Sequence, residues 1–162
     1  MFIIKKGDQQ GITLAPSFKH AQSLDSFYVQ VPFSEKIDGE GCQDVYDESI
    51  KFTDTSMHFH AYCSLVSYQT WQQNDTLVKW ELDWEFEQEI DKEASRWEIE
   101  KVGRLFLHIK KKEAPARWKY IFKDETYKPS NSFVWIEMYN KYIDALEDFE
   151  PMDEDDEWSI II

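Results

Sequence analysis

His58 and His60 stand two residues apart in a stretch where polar and apolar residues alternate. On a strand this spacing projects both imidazoles from one face, an acceptable arrangement for two metal ligands. No third or fourth ligand is close in sequence, and a fold would have to bring in Cys63 or Glu48 to complete a site. Without them the pair reads as two solvent-face imidazoles, and no metal is expected. Carboxylates are abundant, but acid–base chemistry needs a pair set in a cleft, and here they fall on the wet faces of strand-like segments. The chain carries no G-x-S-x-G turn, no Cys–His signature and no Gly-rich phosphate loop. It is therefore expected to be non-enzymatic, with no cofactor.

The elements that position these residues have to come from a chain of 162 residues, the size of one compact domain with a short appendage. An apolar share of 42%, with 16% aromatic residues, is enough to build a substantial core. The net charge of -14 argues against nucleic acid and anionic membranes as partners, since both require clustered Lys and Arg. Cys42 and Cys63 are too few and too far apart in sequence to announce a disulfide framework or a closed zinc site. A reducing compartment follows as the expectation. The N-terminal MFIIKKGDQQ lacks the apolar core of a signal peptide, so a soluble, cytoplasmic protein is expected, with the nucleus as a second location.

Strand periodicity dominates the chain as far as the lysine run at Lys110. Phe27, Val29, Val31 and Phe33 form one row, closed by Pro32 and the polar SEKIDGEG segment. Val45 to Phe52 and Met57 to Cys63 read as a hairpin turned at Thr53-Asp54-Thr55-Ser56. From Leu77 the chain sets Val78, Trp80, Leu82, Trp84 and Phe86 against Lys79, Glu81, Asp83 and Glu85, the pattern of a sheet with one buried and one wet face. Trp97 and Ile99 belong to a short strand, Gly103 turns it, and Leu105, Leu107 and Ile109 share one face of the last. About seven short strands at this spacing predict an all-β, two-sheet antiparallel sandwich.

After Pro129 the period changes. Trp135, Ile136, Tyr139, Tyr142, Ile143, Leu146 and Phe149 recur at three- and four-residue steps, which predicts an amphipathic helix from about Asn131 to Glu150. Ser130, Asn131 and Ser132 are its N-cap candidates and Pro151 its stop. Nine carboxylates and no Lys or Arg lie between Asp144 and Glu157, leaving about -5 for the rest of the chain. A self-repelling acidic tail is expected from Glu150, with an apolar end at Trp158 to Ile162. That end reads equally as a docking motif or as a strand tucked back on the domain.

Several phrases in this order resemble the CS domain family, which includes NudC proteins and the prostaglandin E synthase 3 type of co-chaperone. Pro16 to Leu24 followed by Phe27-Tyr28-Val29-Gln30-Val31-Pro32 looks like the family's first strand, with His20 where Trp is often found. Glu89-Ile90, then Ser95-Arg96-Trp97, Gly103-Arg104-Leu105, Lys110-Lys111-Lys112 and Trp118 resemble the family's most specific phrase. The departures are the insertion between Phe33 and Val45, the polar stretch from Gln69 to Asp75, and the segment after Trp118. The resemblance implies an immunoglobulin-like sandwich similar to the small heat-shock protein core, over residues 16–123. Residues 1–15 would be an arm, 124–149 a linker and the C-terminal helix, and 150–162 the acidic tail.

It also implies function by binding. Many members dock on the 90-kDa heat-shock chaperone, and others hold unfolded clients or act as scaffolds. Two partner surfaces are expected. One is a basic-aromatic patch of Lys111, Lys112, Arg117, Trp118 and Lys119, with core packing as the competing role for Trp118. The other is the helix through Trp135, Tyr139 and Tyr142, with packing on its own sandwich as the competing role. The leading function is a co-chaperone or chaperone-linked adaptor. The alternative is a NudC-like scaffold or assembly subunit.

Overall fold

The structure, a computed structural model, describes residues 3–6, 9–32, 46–67, 72–100, 104–124 and 132–150. Ten strands and one helix occupy them: β1 (Ile3–Lys6), β2 (Gln9–Leu14), β3 (Phe18–Gln22), β4 (Ser26–Pro32), β5 (Tyr46–Phe52), β6 (Ser56–Ser67), β7 (Gln72–Glu85), β8 (Ile90–Glu100), β9 (Arg104–Lys111), β10 (Ser132–Val134) and α1 (Ile136–Phe149). Sheet A has the order β1-β2-β7-β6-β5 and sheet B the order β10-β3-β4-β9-β8. The all-β sandwich with a C-terminal helix is as expected. The strand count is larger than periodicity predicts, and each sheet includes one parallel pair, β2 with β7 and β10 with β3.

The inner faces are those that the alternation selects. Val78, Leu82, Trp84 and Phe86 from one sheet meet Phe27, Val29, Val31, Leu105, Leu107 and Ile109 from the other, all buried. Aromatic rings stitch the layers together: Phe18 lies 4.7 Å from Trp84, and Phe27 lies 6.2 Å from Phe86 in an edge contact. Each such fully buried side chain contributes about 1.5–3 kcal/mol through water exclusion.

The β5–β6 hairpin forms at the predicted turn, where Thr53 and Ser56 bond through their backbones at 3.0 Å and their hydroxyls at 2.6 Å. The strand around Trp97 is longer than predicted because a bulge between Asp91 and Arg96 lets β8 stay paired with β9. Buried Ser95 repairs the interrupted ladder. The Lys110 N–H donates to Ser95 Oγ at 3.0 Å, and that hydroxyl donates to the Asp91 carbonyl at 2.8 Å.

Three expectations change. Within residues 1–15, expected as an arm, Ile3–Lys6 and Gln9–Leu14 form β1 and β2 of sheet A. The helix starts at Ile136, not near Asn131, because Ser132 to Val134 pair with β3 and Trp135, extended at φ -85°, occupies the N-cap. Cys63 is disulfide-bonded, although the cysteine count gave no disulfide framework. Cys42, Phe33, the 33–45 insertion, the core of the polar stretch at 68–71, Gly103, Ser130, Asn131, Pro151, the acidic tail and the Trp158–Ile162 end lie outside the described residues.

Candidate functional site

The phrase that resembles the CS family folds into a structural node. The Lys111 ammonium is buried at 4% exposure and donates three hydrogen bonds, to Gln22 Oε1 at 2.8 Å, the Ser23 carbonyl at 2.6 Å and the Ala116 carbonyl at 2.7 Å. It also lies 5.2 Å from the centre of the Trp118 ring. Burial pushes its pKa down to about 7. Gln22 completes the clasp: its side-chain oxygen accepts from the Trp118 N–H, and its Nε2 donates to the Trp118 carbonyl, both at 2.9 Å. Trp118, 3% exposed, thereby plugs one end of the sandwich 5.9 Å from both Phe27 and Phe86.

The basic-aromatic patch expected from these residues is accordingly not one surface. Lys111 and Trp118 face inward. Arg117 turns to the helix, with Nη2 3.1 Å from Glu147 Oε1 and Nη1 donating to the Glu150 carbonyl at 2.7 Å. Lys112 and Lys119 stay exposed, the former 3.6 Å from Glu89 and the latter near the Tyr120 ring. Spacing alone did not separate the two halves, because an irregular segment after Lys111 folds back across the end of the sheets.

The helix packs on its own sandwich, against the outer face of sheet B. Tyr142 stacks on Tyr28 with ring centres 5.5 Å apart and planes within 8°, and Leu146 is buried. The Trp135 N–H donates to the His20 carbonyl at 2.8 Å. Tyr139 lines a cavity of about 30 Å³ with His20, Gln22, Arg117, Ile143 and Leu146. Burial raises the pKa of both Tyr28 and Tyr139. Among the described residues no helix is long and apolar enough to cross a membrane.

His58 and His60 do lie on one face of β6, their rings 5.9 Å apart. His58 approaches Glu81 at 3.9 Å and Asp83 at 3.8 Å, while His60 stands against Tyr62. Burial and the nearby Lys79 charge lower the His60 pKa. Among the described residues no group of three or more His, Cys, Asp or Glu side chains could hold a metal ion.

A groove of about 320 Å³ opens where the start of α1 stands off the outer face of sheet B. Its floor is Tyr28, Phe106 and His108, one wall is Trp135 and Met138, and the other is Arg96 and Glu98 of β8. The Trp135 and Phe106 rings are 6.2 Å apart, and Tyr28 and His108 are 4.9 Å apart. His108 bonds Ser26 Oγ at 2.8 Å, and burial, aided by the Lys110 charge, lowers its pKa, so the floor is uncharged at neutral pH. Such a surface excludes water around aromatic rings and leaves one cation and one anion at the edge to orient what binds.

Of the eight residues expected to bind a partner, only Trp135 lines this groove. Tyr28, Phe106 and His108 were missed, although a signal was present: they are aromatic residues at the polar positions of strands whose other face is the core.

No family model matches the chain, and no curated protein matches it. Among solved structures it is similar to a nuclear movement protein from E. cuniculi GB-M1, at 14% identity and a TM-score of 0.40, over 65% of this chain and 98% of that one. Fold and site together define a class: an all-β two-sheet sandwich carrying a helix and an aromatic groove on one outer face.

Proposed function

We propose that this chain is a non-enzymatic protein-interaction module of the CS type, a co-chaperone or chaperone-linked adaptor, and that it docks its partner in the groove between α1 and strands β8 and β9. One observation carries the reading: an outer sheet face that would ordinarily be charged has an aromatic floor and a helix wall. The phrase from Glu89 to Trp118 supports the family, and it supplies Arg96, Glu98, Phe106 and His108 to the groove. The mechanism is contact, with the rings as anchors and Arg96 and Glu98 fixing register. An assembly subunit of the NudC kind is the second reading, favoured by the exposed Phe133, Ile136 and Phe149 beside the same face.

Calorimetric titration of the full chain with the purified 90-kDa heat-shock chaperone tests this. Met138→Glu puts a charge on the apolar wall and is expected to weaken binding about tenfold, or about 1.4 kcal/mol, without lowering the melting temperature. Unchanged affinity in that variant would refute the groove, and absence of binding by the wild type would refute the chaperone assignment.

A further inference from the structure

Sheet B ends at β8, which among the described residues pairs with β9 alone. At its start the far edge is engaged, since the Ile90 N–H donates to the Asp54 carbonyl at 2.8 Å, and beyond the bulge no described strand pairs with it, which leaves backbone groups there as a template for another strand. The carbonyls of Glu93 and Ser95 show this directly. Each accepts from the Arg96 guanidinium, at 2.7 Å and 2.9 Å, where a neighbouring strand would otherwise donate. Trp97, 41% exposed, lies at the same edge. The bulge between Asp91 and Arg96 separates the pairs of Ile90 and Asp91 from the longer regular run in the second half of the strand, Arg96 to Glu100.

Within that half the charges are self-complementary. Arg96 and Glu98 sit on one face, opposite His108 and Phe106 of β9, and flank Trp97 symmetrically. If a second β8 lies antiparallel across the edge with Trp97 opposite Trp97, Arg96 of each copy falls opposite Glu98 of the other, twice. Moving the register by one pair in either direction sets Arg96 against Arg96 or Glu98 against Glu98. Opposite charges directly across a strand pair stabilise it and like charges destabilise it, so one register is selected.

We infer that two copies of this chain associate through β8 as a two-fold symmetric antiparallel pair centred on Trp97, joining two five-stranded sheets into one. This goes beyond the proposed groove function and does not depend on it. Each Arg96 leaves the carbonyls of its own bulge for the partner's Glu98, and the backbone of the other copy takes over the edge.

Sedimentation of the full chain at physiological salt and chain concentrations up to about 100 μM tests the inference. The wild type is expected to dimerise. R96E and E98R each place like charges at both crossings and are expected to raise the dimer dissociation constant about tenfold. The double variant R96E/E98R restores opposite charges at both and is expected to return to within about threefold of the wild type. Because it carries both substitutions, its recovery separates lost pairing from lost folding. A wild type that stays monomeric over this range, single variants that dimerise as the wild type does, or a double variant as weak as the singles would each overturn it.

Discussion

His20 is the residue with the most at stake in its protonation. Its ring is packed among Phe18 and Phe27, its Nε2 has no hydrogen-bond partner, and burial pushes its pKa down to about 3. The folded chain therefore keeps it neutral, while the unfolded chain takes up the proton near pH 6.5. Its contribution to stability is complete above that value and is lost as pH falls from 6.5 towards 3, at up to about 1.4 kcal/mol per pH unit. His20→Phe removes the titrating group and leaves a ring in an aromatic site. Urea unfolding followed from pH 7 to pH 4 should show a shallower loss of stability in the variant than in the wild type, and parallel curves would contradict this account. Lys111 faces the same desolvation, but its three N–H groups all find acceptors. Because that lysine clasps the Trp118 segment, Trp118→Ala perturbs the frame and is a poor probe of binding.

At the scale of elements, what was legible in the sequence followed from period. The alternation at Val78 to Phe86 and at Leu105 to Ile109 identified both inner faces, since a side chain every second residue is what a half-buried sheet requires. The Thr53–Ser56 turn was equally readable. Features made by distant pairing were not. The parallel addition of Ser132–Val134 to β3 converts the expected first turn of the helix into a strand, and no local propensity announces it. The groove was hidden for the same reason, because it exists only where α1 meets β8 and β9. Docking of the helix is directly testable. Leu146 is its buried anchor, and Leu146→Ala should cost about 2–4 kcal/mol of global stability in a single cooperative urea transition. An unchanged midpoint would mean that the helix does not pack on the sandwich.

At the scale of the molecule, the two outer faces differ in what they carry. The carboxylates on β7, Glu81 and Asp83, meet His58 on the outer face of sheet A beside the Tyr46–Tyr62 pair, while the outer face of sheet B bears the stacked rings of Tyr28 and Tyr142 and the tilted pair Phe106 and Trp135. The central claim is that the groove on sheet B is where the partner docks. The indole N–H resonance of Trp135 reports on its wall, while those of Trp80 and Trp84 report on sheet A. In a nitrogen-15 spectrum of the full chain titrated with the purified 90-kDa heat-shock chaperone, the resonance of Trp135 should shift or broaden first, with those of Trp80 and Trp84 unmoved. Selective perturbation of Trp80 and Trp84, with Trp135 unmoved at saturation, would contradict the account.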